Sequence, residues 1–195
     1  MSLNIWCGHV HDKLFDFFKN YQDVDVFCFQ EVYYKAKEKI STDDKEEYLD
    51  ILSELQEVLP NYKLLFSPMV DNVYGLGMLV KNDISIVHNG EINIYENHDY
   101  IGKGPTYSRV LQFAELQAGS KNFLMTNYHG FWNGINKLDS VERIEHSKII
   151  KNFIDKYKIP KILCGDFNLS PETNSIAILE ETLNNQIKIF DIKST

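Results

Sequence analysis

The stretch Lys161-Ile-Leu-Cys-Gly-Asp-Phe-Asn-Leu-Ser-Pro171 concentrates groups that can do chemistry: a short apolar run breaks at Gly165 into a carboxylate, Asp166, and a carboxamide, Asn168. Ile162, Leu163 and Cys164 are apolar enough for a strand covered on both faces, and Gly165 lets the backbone turn at its end. Asp166 and Asn168 stand two apart, on one side wherever the chain stays extended. Ser170 then reads as a helix cap, with Pro171 at the first helical position. A carboxylate and a carboxamide held where a strand meets a helix suit activation of a water beside a metal ion and an oxyanion. The same residues fit a plain Asp-Phe-Asn turn whose side chains bond only backbone. This stretch alone does not separate the two readings.

Three other apolar runs end in polar residues: Ser2-Leu-Asn-Ile-Trp6, Phe27-Cys-Phe-Gln-Glu-Val32 and Phe123-Leu-Met-Thr-Asn-Tyr-His-Gly130. Together with Cys164-Gly-Asp-Phe-Asn168 they resemble, in the same order, the motifs of the endonuclease/exonuclease/phosphatase superfamily, the metal-dependent phosphoesterases related to pancreatic deoxyribonuclease. The resemblance spans essentially the whole chain. It implies an α/β class fold, a four-layer α/β/β/α sandwich of two packed mixed sheets with outer helices. It also implies a hydrolase of phosphoric esters, a phosphodiesterase or a phosphatase of a small or lipid-like organic phosphate, using a water positioned by metal and aspartate. A nuclease of the same superfamily and a non-catalytic phosphate-binding module are the alternatives.

The roles follow residue by residue. Glu31, at a strand end, is the expected ligand of magnesium, with manganese as the alternative, because magnesium takes one or two carboxylates and keeps water and phosphate oxygens for the rest of its octahedron. Asn4 is expected beside it as a neutral oxygen ligand or a supporting partner. His129 matches the superfamily's Asn-x-His motif, whose histidine contacts the scissile phosphate; Asn127, two residues earlier, would orient that ring or the water. Asp166 would align or deprotonate the water, and Asn168 would hold a phosphate oxygen. Lys103, in a glycine loop, and Arg109, at a strand start, read either as binders of remaining substrate oxygens or as solvated surface charge. Tyr107, Phe131 and Trp132 are equally core packing or pocket lining, Trp132 being favoured for the pocket. His9, His11, His88, His98 and His146 read as packed or surface residues.

One motif is not matched. The superfamily closes its site with a late Ser-Asp-His, and no Asp-His pair occurs anywhere in this chain. The sequence therefore reads as a piece of a longer enzyme trimmed at the C-terminus, in preference to a shortened, inactive relative, and Met1-Ser2-Leu3 reads either as a trimmed start or as a short edge strand.

Composition narrows the surroundings. With 195 residues and 44% hydrophobic content, the chain suits one domain, residues 1–195, with a sizeable core. No apolar run approaches the roughly 20 residues that span a bilayer, and the N-terminus lacks the pattern of a signal peptide. Cys7, Cys28 and Cys164 are odd in number and unrelated in context, which favours thiols in a reducing, cytoplasmic setting. Cys7-Gly-His9-Val-His11 offers no fourth ligand at zinc-like spacing. A net charge of −8, from 20 basic and 28 acidic residues, lacks the basic footprint that grips long nucleic acid, so a small phosphate ester is favoured over nucleic acid as partner. A monomer is expected.

The elements that must position these groups can be read in order. Leu3 to Trp6 is the tail of a first strand, Asp12 to Tyr21 a helix with Leu14, Phe15, Phe18 and Tyr21 on one face, and Val24 to Phe29 a strand that delivers Gln30 and Glu31. Tyr33 to Thr42 is a lysine-rich loop. Tyr48, Ile51, Leu52, Leu55, Val58 and Leu59 recur at helical spacing after an acidic start at Asp43 to Glu47. Tyr62–Phe66, Gly75–Val80 and Ile84–His88 read as successive antiparallel strands, with Glu91–Tyr95 a further one, and 96–105 is the longest loop. Val110–Leu116 and Asn122–Asn127 make a hairpin, and Val141 to Tyr157 an amphipathic helix before Pro160.

Overall fold

The computed structural model describes residues 1–40, 47–102 and 104–193. The end of the lysine-rich loop at Ser41 and Thr42, the acidic segment from Asp43 to Glu46, and Lys103 lie outside the described residues. Two four-stranded sheets pack face to face, in the orders β1-β2-β4-β3 and β5-β6-β7-β8. In the first, β1 (Ser2–Asn4) pairs parallel with β2 (Val26–Tyr33), which runs antiparallel to β4 (Tyr74–Lys81), itself antiparallel to β3 (Tyr62–Val70). In the second, β5 (Ser85–Tyr95), β6 (Arg109–Ala118) and β7 (Lys121–His129) form an antiparallel meander, and β8 (Lys161–Asp166) joins β7 in parallel.

Alternation along the strands divides the apolar residues into three layers. Phe27 and Phe29 of β2 face outward onto Leu14 and Phe18 of α1 (His11–Asn20) and onto Ile51, Leu52 and Leu55 of α2 (Ile51–Val58). Val26 and Cys28 face inward and meet Met78, Val80, Ala114, Leu116 and Met125 between the sheets. Leu111, Phe113 and Leu124 turn to the far side and pack on Ile150 and Ile154 of α3 (Val141–Ile154) and Leu179 of α4 (Asn174–Glu180). Such two-fold alternation is what a sheet covered on both faces requires. Ser140 caps α3 by accepting the Arg143 backbone N–H. A short helix, α5 (Gln186–Ile189), follows.

Three readings of the local pattern are corrected. Residues 85–88 and 91–95 belong to one strand, β5, which pairs with β6 in the other sheet and not with β4. Both edges of β4 are already taken by β2 and β3, so the chain must cross between the sheets after Asn82-Asp83, and Ile84 is buried there. Ser170-Pro171 does not open a helix. The Thr173 N–H and hydroxyl both bond the Ser170 carbonyl, making a turn, and α4 begins at Asn174. Gly165 lies inside β8 and does not end it: its φ is 143°, and a Cβ there would sit 1.8 Å from the Tyr128 carbonyl oxygen, so the residue permits a close approach of β7 and β8.

Candidate active site

The two parallel pairings bring the polar ends of four segments to one end of the sandwich. Register places Asn4 beside Gln30 and His129 beside Asp166, and the edge strands β1 and β8 lie against each other across the two sheets. Glu31 needs an additional device. Between the pairs Phe29–Gly77 and Val32–Gly75, both Gln30 and Glu31 oppose the single residue Leu76, a β-bulge, and Glu31 takes φ 56°. The bulge frees Glu31 from strict alternation, and because β2 runs on to Tyr33, Glu31 lies within the strand and not, as expected, at its end. Left-handed backbone in a residue with a long side chain is uncommon and costs energy that the surrounding sheet must hold.

The Asn4 side-chain NH2 then donates to Glu31 Oε1 at 2.9 Å and to Asp166 Oδ2 at 3.1 Å, while Asn4 Oδ1 accepts the Trp6 backbone N–H at 3.0 Å. Asp166 Oδ1 accepts the Asn168 backbone N–H at 3.0 Å. His129 Nε2 stands 3.6 Å from Glu31 Oε1, a contact beyond hydrogen-bond length. Burial pushes the Glu31 carboxyl above its ordinary pKa; the Asn4 bond pulls it back, and the charge of Asp166 adds to the rise.

His129 is 3% exposed, and its Nδ1 lies 3.4 Å from the Tyr107 hydroxyl, itself 3.1 Å from that of Tyr74. Beneath it lies Arg109, fully buried, donating to the carbonyls of Pro105, Tyr107 and Gly130 with its guanidinium 3.6 Å from the Tyr107 ring centre. Burial, then the Arg109 charge, lower the His129 pKa to about 4 against the opposing pull of Asp166. The ring is therefore neutral at pH 7 and acts as a hydrogen-bond group, not as a cation.

His146, bonded through Nδ1 to the Tyr128 hydroxyl at 3.0 Å, is likewise held at about 4, by burial first and then by Arg109 and Arg143. The unfolded chain takes up a proton near pH 6.5 that the folded chain refuses. The contribution is therefore fully present above pH 6.5 and is lost as pH falls toward 4, about 3 kcal/mol by pH 4. Thermal unfolding between pH 7 and 4 should show wild type losing that much more stability than His146→Gln. Equal acid sensitivity of the two proteins would count against it.

Asn4, Glu31, His129 and Asp166 thus converge as expected, but other expectations are corrected. Of the two roles expected for Asn4, the contacts are those of a supporting partner: its NH2 holds two carboxylates while its oxygen accepts the Trp6 N–H. Asn127 shares a face with His129 yet is wholly buried between the sheets: it accepts from Gln30 at 2.6 Å and donates to the Phe29 and Gly77 carbonyls and Gln112 Oε1, each at 3.1 Å, leaving nothing to orient a water. Asn168 does not sit extended beside Asp166. It takes φ 53°, and its NH2 donates to the Gly130 carbonyl at 3.3 Å. Arg109 is neither solvated nor pointed at substrate, because its guanidinium is spent on backbone carbonyls.

A cleft of about 410 Å3 opens beside Glu31, bordered by Trp6, Tyr33, Tyr74, Tyr100 and Tyr107. Tyr107 borders it, one of its two readings, whereas Trp132, the favoured one, does not, and Phe131 is packed against Tyr95 and His146. Four of these aromatics were not singled out from sequence, since they come from four separate segments with no shared spacing.

The donor set suits a hard cation: two carboxylates face a shared amide, and the charge of one raises the pKa of the other. Among the described residues no group of three or more His, Cys, Asp or Glu is disposed to hold a metal ion. A cation here would keep water and phosphate oxygens for most of its shell.

The family described as endonuclease/exonuclease/phosphatase matches residues 1–186 of this chain. No match was found among curated proteins. Among solved structures, an endonuclease/exonuclease/phosphatase family protein from Bacteroides thetaiotaomicron is similar with a TM-score of 0.68 and 20% identity, over 92% of this chain and 65% of that one. A mannosyl-6-phosphatase from the same organism is similar with a TM-score of 0.64 and 19% identity, over 90% of this chain and 62% of that one. A humanised D. rerio TDP2 is similar with a TM-score of 0.64 and 15% identity, over 90% of this chain and 67% of that one. The chain thus spans less than two thirds of either Bacteroides protein.

Proposed function

The chain belongs to the endonuclease/exonuclease/phosphatase family, and we propose that the protein it represents is a magnesium-dependent hydrolase of a phosphoric ester, in which Asp166 positions the attacking water. The observation that supports this reading best is the junction of Asn4, Glu31, His129 and Asp166, drawn from both sheets and held by one shared amide.

A divalent ion held at Glu31 would supply positive charge to the phosphate oxygens. The chain's own groups do the rest. Asp166 accepts a proton or hydrogen bond from the water. His129, neutral at pH 7, donates from Nε2 to a phosphoryl oxygen when the Tyr107 hydroxyl donates to its Nδ1. Asn4 holds both carboxylates at fixed separation. No serine or cysteine stands beside a base among these residues, so attack by water with no phosphoenzyme is the simplest course. The phosphatase among the similar structures agrees with an ester substrate, and the acidic balance of the chain favours a small ester over nucleic acid.

The test is hydrolysis of p-nitrophenyl phosphate and bis(p-nitrophenyl) phosphate in oxygen-18 water. Magnesium should support turnover, a chelator should abolish it, and a single turnover should place label in the released phosphate. Turnover unaffected by the chelator, or unlabelled phosphate, would exclude the mechanism.

A further inference from the structure

The His129 ring ends a run of hydroxyls that crosses from one sheet to the other. The β3–β4 hairpin turns through Asp71 and Asn72, at φ 49° and 58°, and returns with Tyr74 as the first residue of β4. That register brings the Tyr74 hydroxyl 3.1 Å from the Tyr107 hydroxyl, which lies 3.4 Å from His129 Nδ1. The two tyrosine rings meet edge to face, their centres 5.4 Å apart at 87°, in an apolar cluster with Met69, Leu76 and Val110. In such surroundings hydrogen bonds polarise one another, so the last bond of the run depends on the first.

A neutral imidazole carries one proton, and the hydrogen bond at one nitrogen decides which of the two holds it. Two contacts favour Nε2. Glu31 Oε1, 3.6 Å from Nε2, already accepts from Asn4 and so turns an acceptor toward that nitrogen. On the other side, Tyr107 is set up as a donor to Nδ1. Burial raises its hydroxyl pKa, and the Arg109 charge 3.6 Å from the ring centre and the bond to Tyr74 then pull it back, which sharpens the O–H as a donor. Tyr107 has one proton to give. If Nδ1 takes it, the Tyr107 oxygen is left to accept from Tyr74, and Nε2–H faces outward. The reverse run would set the Nε2 lone pair against Glu31 Oε1.

We propose that Tyr74 is a positioning residue for the reaction: through Tyr107 it keeps the His129 proton on Nε2, the nitrogen that faces Glu31 and the phosphate. What that N–H does for a phosphoryl oxygen rests on the hydrolase reading above, whereas the tautomer rests on these contacts alone. Tyr74 acts only through Tyr107 and is not itself a catalytic group.

The tautomer can be read without turnover. Long-range 1H–15N correlation of the histidine rings is recorded without magnesium at pH 8, well above the ordinary imidazole pKa of about 6.5, and His129 is identified by the signals lost in His129→Gln. In wild type Nε2 should give the shift of an N–H and Nδ1 that of a bare nitrogen, the Nε2–H form being in about tenfold excess. Tyr74→Phe keeps the ring and its packing and loses only the hydroxyl; the excess should fall to about twofold, and Tyr107→Phe should lower it at least as far. A packing role alone predicts no change. With magnesium and bis(p-nitrophenyl) phosphate, Tyr74→Phe should lower kcat about fivefold with KM unchanged. A wild-type proton on Nδ1, or nitrogen shifts in both variants that match wild type, would overturn the proposal whatever the protein hydrolyses. A tautomer that moves while kcat stays constant would overturn it too. A tautomer that moves as expected in a protein that hydrolyses no ester would remove the hydrolase reading and leave the run from Tyr74 to His129 standing.

Discussion

Asp166→Asn is expected to lower the rate of ester hydrolysis by a factor of about 100 or more, with substrate affinity nearly unchanged. The geometry explains why a near-isosteric change should be so costly. Asp166 accepts from two donors at once, the Asn4 NH2 through Oδ2 and the Asn168 N–H through Oδ1. An asparagine can answer only one of them with its oxygen, and its own NH2 must face the other donor. The substitution removes a base and also turns two attractive contacts into one attraction and one repulsion. The readout is kcat and KM measured separately, since loss of a general base falls on kcat. A drop below about tenfold in kcat would make Asp166 a turn residue that serves only to tie Asn168 to the end of β8.

That outcome bears on how far the site can be read from sequence. The four polar strand ends are legible because each closes an apolar run, and burial on both faces forces such runs to stay apolar until the strand leaves the core. Glu31 shows where this reading stops. Alternation alone would set it on the helix side of β2 with Phe27 and Phe29, and only the bulge opposite Leu76 turns it to the site. A bulge leaves no composition mark when its residue is a glutamate and not a glycine. Arg109 and Arg143 fail for a related reason. Each is buried, has no carboxylate hydrogen-bonded to it among the described residues, and is satisfied by loop carbonyls, Pro105, Tyr107 and Gly130 for one, Phe131 and Asn136 for the other. A guanidinium has five donors and can replace the missing secondary structure of a loop, but nothing in the spacing of a lone arginine announces this. Asn127 was legible as a neighbour of His129 and illegible as a tie between the sheets, because its partners Gln30, Phe29 and Gly77 come from the other sheet.

Glu31→Gln should reverse its effect on stability according to whether magnesium is present. Burial and the nearby charge of Asp166 raise the Glu31 carboxyl pKa, so its ionised form is disfavoured by the fold. For a carboxylate whose folded pKa is raised, stability is highest below the unfolded pKa and declines as pH climbs through the folded one, so the cost grows as pH rises out of the carboxylate range. Glutamine keeps the acceptor for Asn4 and removes that cost. Without metal, Glu31→Gln should therefore unfold at a higher temperature than wild type, and the gap should close as pH is lowered through the carboxylate range. With magnesium the order should invert. Wild type gains stability by mass action as the ion binds, by RT ln(1 + [Mg2+]/Kd), whereas the variant has lost the charge that holds it. Hydrolysis in the variant should fall by about 1,000-fold or more, because the ion and the water it would orient go together. Thermal unfolding of both proteins across a magnesium titration decides the matter. Parallel shifts in the two would show that the ion binds away from Glu31, and a metal-free variant less stable than wild type would show that the buried carboxylate is more than compensated by its neighbours.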